Sequence, residues 1–461
     1  MKKVSIIALG LLISTNALAS ENLENKTVSI SSSCNISKDV TKDALELSDV
    51  IELAMCNNPT TRQAWLSTKV GDTAYKGTVF GSYLPHISAS ASYQKSDVTD
   101  YTINPNGVET VSKGAEAGLS LSWLLYDFGK RESSVEKTFQ SMNSLNFQYN
   151  NTLQQVAYNT IVAYYDALSS VEELAAVKAN EEASFKSFQL ASRKFELGMS
   201  SKAATLQAET SYAQAQLQVA KQEQVVKVAN AKLASYLGLP PSQEIKLVQS
   251  FADTTDELIN KSVDEIVNLA LAKRPDLQAK VASVKASYAN VRSASATYFP
   301  TISAFGSKSW TDIDPDFGDL NRDRDTWSVG VKVSMPIFTG FENTYSLRNA
   351  KYQYAADKEA LKQLEQDVEL SVVTAYNGYK ISVKALSIAK KLFESAVENE
   401  KVALGSFKAG KGDIISLMEA QSKLLSARKE LISAQYGLYT AKIALLKSAG
   451  ELNLKNLGKF K

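Results

Sequence analysis

Histidine is nearly absent and cysteine is scarce: one of the former and two of the latter in 461 residues. The lone imidazole, His86, follows Pro85 at a helix-to-strand junction, a place for an interfacial or packed side chain. No nucleophile motif, metal constellation or phosphate loop stands out, so the chain is expected not to be an enzyme and to need no cofactor or metal. An excess of one charge is missing too, with 51 basic against 49 acidic residues, and nothing in that balance points to nucleic acid. Beyond Ser20 no run approaches the roughly 18 to 20 apolar residues of a membrane-spanning helix.

The first residues have the form of an export signal, residues 1–19. Lys2 and Lys3 precede an apolar stretch from Val4 to Ile13, and Ala17-Leu18-Ala19 offers a cleavage site before Ser20. In an exported chain, Cys34 and Cys56 are expected to form a disulfide that pins an N-terminal arm, residues 20–47, to the first helix. Ser31-Ser32-Ser33 lacks the apolar residue a lipoprotein signal places before its cysteine, so no lipid anchor is expected.

What the chain does contain is a duplication. Landmarks between Leu53 and Gly238 recur in the same order between Leu269 and Gly450, at a period of roughly 212 to 216 residues, too long for a solenoid. Tyr83-Leu84-Pro85 answers Tyr298-Phe299-Pro300, Leu125-Tyr126-Asp127 answers Ile337-Phe338-Thr339, and Phe195-Glu196-Leu197-Gly198 answers Phe407-Lys408-Ala409-Gly410. The repeats are expected at 48–238 and 262–450, joined by a linker at 239–261 and followed by a tail at 451–461.

Within each repeat the pattern changes period. A short helix opened by Ser48, and by Ser262 with Glu265 as a capping box, restarts at Pro59 and at Pro275. Each restarted helix ends before Pro85 or Pro300. Ile87 to Tyr93, Ala117 to Trp123, Ile302 to Trp310 and Trp327 to Val333 then alternate apolar or small residues with polar ones, predicting hairpins at 87–126 and 301–338. Strands of about 8 to 12 residues suit either a membrane barrel or a half-buried sheet. Tyr93, Trp123, Tyr126, Trp310, Trp327 and Phe338 are placed at strand ends, and Ser96 to Lys113 and Asp312 to Asp325 in long polar loops. Next comes an uninterrupted helix from Gly129 to about Leu197, and from about Glu342 to Ala409 in the second repeat. Gly198 and Gly410 end these helices, and return helices capped by Ser200 or Ser201 and by Asp413 run to Leu237 and Ala449. In each half the restarted helix and the return helix, laid end to end, match the reach of the long one.

Two hairpins give four strands per chain, and a membrane barrel tolerates no open edge, so copies must combine. This ordered set, from Leu47 to Leu452, resembles the TolC family of outer-membrane efflux and export ducts. The residues that carry it are Asn58-Pro59, Arg274-Pro275, the paired landmarks above, Leu125 to Gly129, Pro336 to Gly340, and Phe407 to Gly410 with Asp413. The resemblance implies an α+β membrane protein: a homotrimer with a 12-stranded outer-membrane β-barrel, four strands per chain, continued by a long α-helical periplasmic barrel. It implies the exit duct of a tripartite efflux or type I secretion system in a Gram-negative cell, working with a periplasmic adaptor (membrane fusion) protein and an inner-membrane transporter. By position it places the periplasmic constriction at Asp413, Ser416 and Glu419, one family acid being replaced by Ser416. Adaptor contact would fall at the tip turns, Lys194 to Ser200 and Ser406 to Gly412, with Gly198, Ser200, Gly410, Lys411 and Gly412 at their centres. The competing expectation is a periplasmic coiled-coil scaffold that spans no membrane, which would carry no alternating strands.

Overall fold

The computed structural model describes residues 44–100, 102, 106–249, 261–315 and 322–452. The export signal, most of the arm and Cys34 lie outside the described residues, as does the end of the tail. In chain order the elements are α1 (Leu47–Asn57), α2 (Pro59–Tyr83), β1 (His86–Asp100), β2 (Val108–Tyr126), α3 (Lys130–Glu196) and α4 (Lys202–Tyr236). The second half repeats the order with α5 (Val263–Lys273), α6 (Pro275–Ala296), β3 (Thr301–Pro315), β4 (Arg322–Ser334), α7 (Glu342–Lys408) and α8 (Ile414–Ser448). Both long helices have 67 residues and both return helices 35.

The chain divides into two units, each drawing on both halves. The first takes the described residues up to 63, 152–273 and from 370 onward. Its main core gathers Leu47, Val50 and Leu53 of α1, Ile161, Tyr164 and Tyr165 of α3, Leu233 and Leu237 at the end of α4, and Ile443 of α8. The linker after α4 joins that core: Leu45 bridges to Leu247 as a short parallel pair, and the Tyr164 hydroxyl donates to the Val248 carbonyl. Beside it the Tyr436 hydroxyl donates to Glu172 Oε1 at 2.8 Å, and Gln249 Nε2 donates to the same oxygen at 2.6 Å. Burial, reinforced by the Glu172 carboxylate, drives the Tyr436 pKa well above the phenol range.

One correction concerns helix α1. Glu46, not Ser48, caps α1, because its backbone amide donates to the Asp49 carboxylate at 3.0 Å and leaves Ser48 inside the first turn. Cys56 in the last turn is disulfide-bonded. The Asn58 side-chain amide at the head of α2 donates to the carbonyl of Tyr236, the last residue of α4, at 2.8 Å. Gly238 makes room for it, since at φ 68 a Cβ there would stand 2.5 Å from the Asn57 carbonyl oxygen. In the second half Lys273, at the end of α5, reaches Glu451 just past α8 at 2.9 Å.

The second unit covers 64–151 and 274–369 and contains the sheet. Its strands run β1-β2-β3-β4, each antiparallel to the next. They are longer than the alternation predicts, at 15, 19, 15 and 13 residues. Pairing continues through Ser96↔Ser112 to Asp100↔Val108 and through Asp312↔Asp323, stretches expected to be loops. A ladder needs only backbone partners, so it carries on after the side chains turn polar. At the other end the second hairpin is shorter than 301–338, because β4 stops at Ser334 before Met335-Pro336. Helix packing in this unit is polar as well as apolar: the Ser144 hydroxyl donates to the Ala279 carbonyl at 2.9 Å, and Lys280 pairs with Asp357 at 3.2 Å.

Candidate functional site

The sheet has two chemically distinct faces. Register puts Ile87, Ala89 and Ala91 beside Leu121, Leu119 and Ala117, and these beside Gly306, Lys308 and Trp310, then Val329 and Trp327. The opposite face aligns Ser88, Ser90 and Ser92 with Ser120, Gly118 and Glu116, then with Ser307, Ser309 and Thr311. Serine hydroxyls hydrogen-bond across it, Ser88 to Ser120 at 2.6 Å and Ser307 to Ser328 at 2.8 Å. One face is therefore suited to hydrocarbon and the other to water.

Aromatic residues bound the apolar face, though not all where the sequence placed them. Tyr93, Trp310 and Trp327 lie several residues inside their strands, level with the start of the polar extension, while Phe338 lies beyond the end of β4. Fifteen tilted residues span about 35 to 40 Å against an apolar band of about 25 Å, so strand ends protrude and the aromatics mark the band rather than the strand. At the helix end, Trp123 anchors its indole N–H on the Tyr83 carbonyl at 3.0 Å, and Phe128 stacks on Phe299 with centroids 5.4 Å apart. Lys308 is a cation among the apolar residues; its ammonium pairs with Asp325 at 3.0 Å and lies 5.2 Å from the Trp310 ring centre.

Where β2 hands the chain to α3, the Arg131 guanidinium donates to the carbonyls of Leu124 at 2.8 Å and Leu125 at 3.0 Å, and lies over the Tyr83 ring. Asp127, 3% exposed, accepts the Arg131 backbone amide at 2.8 Å. Sequence reasoning missed this clamp. Its partners are backbone carbonyls, which leave no pattern in side chains.

The tips of the first unit form the second candidate region. Gly198 (φ 74) and Gly410 (φ 73) close α3 and α7 in left-handed turns, with Met199 N–H reaching the Lys194 carbonyl at 2.8 Å and Lys411 N–H the Ser406 carbonyl at 3.0 Å. Ser200 leaves the next cap to Ser201, whose hydroxyl accepts Ala204 N–H at 3.2 Å. Asp413 caps α8 by accepting Ser416 N–H at 2.8 Å, and the hydrogen bonds from Ser416 hold its carboxyl below the usual range. Gly412 packs against Ser406 and Phe407. Glu419 is exposed and pairs with Lys423 one turn on at 2.7 Å. The two turns are joined across the repeats: Ala191, Ala208, Phe407, Ile414 and Leu417 form a small core, and Lys194 donates to the Phe407 carbonyl with its ammonium 4.2 Å from the Phe407 ring centre.

Four antiparallel strands with one apolar, aromatic-bounded face and one hydroxyl face, set between long helices, define a wall section of an outer-membrane β-barrel. Such a section has no place in a coiled-coil scaffold confined to water. Comparison with known proteins agrees. A model of the outer membrane efflux protein family matches residues 50–239 and again 266–451, and the chain belongs to that family. It is similar to Protein CyaE of Bordetella pertussis, at 25% identity over 89% of this chain and 85% of that protein. It is also similar to outer membrane protein TolC of Escherichia coli, at 22% identity over 90% and 84%. Among solved structures, the CmeC outer membrane channel of Campylobacter jejuni superposes with a TM-score of 0.78 at 18% identity, covering 90% of this chain and 89% of that one. The protein is thus an outer-membrane exit duct of efflux and secretion systems, with its helical part in the periplasm, and not an enzyme.

Proposed function

We propose that three copies of this chain close a 12-stranded barrel, and that the resulting duct receives cargo from an inner-membrane transporter through a periplasmic adaptor docked at the tip turns. The observation that carries the proposal is the pair of free edges, β1 and β4, on a sheet with a lipid-compatible face. Unpaired backbone groups in hydrocarbon cost several kcal/mol each, so both edges must be covered. β1 runs toward the hairpin loops and β4 away from them; in copies that share one orientation, β1 of one meets β4 of the next in antiparallel fashion, and the ring closes. Two copies would give eight strands, whose interior side chains fill, whereas twelve leave a lumen.

Heated and unheated gel migration with native mass spectrometry of the detergent-extracted protein tests the assembly. The expected species is a trimer that dissociates on heating; a monomer removes the proposal. The gate is assigned to the second-repeat tip, with Glu419, Ser416 and Asp413 nearest the axis and Gly198, Ser200, Gly410, Lys411 and Gly412 in the turns the adaptor touches. Three Glu419 carboxylates around one axis bind divalent cations, and each Lys423 moderates them. In planar bilayers, Glu419→Ala is expected to weaken divalent-cation block of single-channel current, and an unchanged block takes Glu419 out of the constriction. The Cys34–Cys56 bridge is assigned the role of tying the arm to α1, and mass mapping under non-reducing conditions checks the pairing.

A further inference from the structure

Lys332 stands on the hydroxyl face of β4, directly opposite Ser303. Its neighbours along the strand, Val331 and Val333, point to the apolar face, so alternation fixes the lysine inward. On that face it is exposed, and among the described residues no carboxylate pairs with it. Its surroundings are neutral: Gly330 and Ser334 on its own strand, and Ser303 and Phe305 across from it. β4 is an edge strand, and β1 of an adjoining copy would bring His86 and serines on the same face, none of them an anion, so assembly supplies no counter-charge. Glu116 and Arg324, charges on the same face, flank Thr311, eight residues along β3 from Ser303, and are opposite in sign. Eight residues of strand measure about 26 Å, well beyond the screening length of about 8 Å at physiological salt.

We propose that Lys332 is the specificity-determining charge of the barrel lumen, making its helix-side mouth cationic and favouring anionic solutes and acidic stretches of exported chain. This rests on the hydroxyl face being the lumen.

The test places a reporter thiol at Ser303→Cys in the full-length protein and compares its modification by an anionic methanethiosulfonate (sulfonatoethyl) and a cationic one (trimethylammonium-ethyl), each normalised to a free thiol. A unit charge within one strand spacing in water changes each rate by a few-fold in opposite directions, so the anionic reagent is expected to win by about three- to tenfold. Lys332→Gln should bring the ratio near one and Lys332→Glu should invert it. A ratio that ignores both substitutions overturns the role of Lys332 while leaving the lumen in place. A Ser303→Cys thiol that reacts with neither reagent overturns the lumen assignment and the proposal with it.

Discussion

At the first strand-to-helix junction Arg131 ties two carbonyls of β2 to α3 and covers Tyr83, with Asp127 buried beneath it. At the second junction the corresponding positions hold Thr339 and Asn343, and no guanidinium is present. Both junctions turn through two successive residues of positive φ, Phe128-Gly129 in the first and Gly340-Phe341 in the second, with the glycine in opposite places. Equal helix lengths thus conceal unequal fastening. One repeat is bolted by a guanidinium where the sheet meets the helices, and the other has lighter fastenings, the Tyr298 hydroxyl donating to Thr344 at 3.2 Å and the Phe338 and Phe341 rings meeting edge to face.

The sharpest way to break the comparison is Arg131→Ala set against Asn343→Ala. Removing the guanidinium frees two carbonyls and leaves Asp127 buried without its neighbouring cation, a loss of about 3 to 5 kcal/mol. Asn343→Ala should cost less than about 1 kcal/mol. The temperature at which the assembly dissociates on gels reads both, and equal shifts would mean that the clamp does not distinguish the halves. A second contrast uses glycines. Gly238→Ala meets the Asn57 carbonyl as well as an unfavourable φ and should cost about 2 to 4 kcal/mol. Gly410→Ala has the same left-handed φ but open space around it, so about 1 kcal/mol is expected.

These contrasts also show what the sequence could disclose. The Ser262 and Glu265 box was legible because capping is local, and it forms with bonds of 3.2 and 3.3 Å. Pro59 and Pro275 mark helix starts, and Gly198 and Gly410 helix ends, for the same reason. The two faces of the sheet follow from alternation, since register keeps apolar residues mostly on one side and serines on the other, with Lys308 and Phe305 among the exceptions. Strand length was hidden because Ser96 to Asp100 looks like loop while the backbone still pairs. Glu46 was passed over as a cap in favour of Ser48, because glutamate caps only when a residue such as Asp49 reciprocates. Arg131 and Lys194 were invisible as fasteners, since both spend their donors on backbone carbonyls, Arg131 on those just before it in β2 and Lys194 on one from the other repeat.

The smallest expected effect sharpens the comparison at the tips, where Ser201 caps α4 and Asp413 caps α8. Replacing either by Ala leaves one amide of the first helical turn without its side-chain acceptor, so at neutral pH the two caps look alike. Acid separates them. The Asp413 carboxyl titrates lower in the folded chain than when unfolded, so its contribution is complete above the ordinary carboxylate range and is lost as pH falls through the folded value. Ser201 carries no such proton. Amide hydrogen exchange at Ser416 and at Ala204, followed from neutral pH downward, should show protection falling at Ser416 alone. Asp413→Asn keeps a capping oxygen and should flatten that fall; if Ser416 still loses protection in this variant, the acid sensitivity arises elsewhere than in the cap.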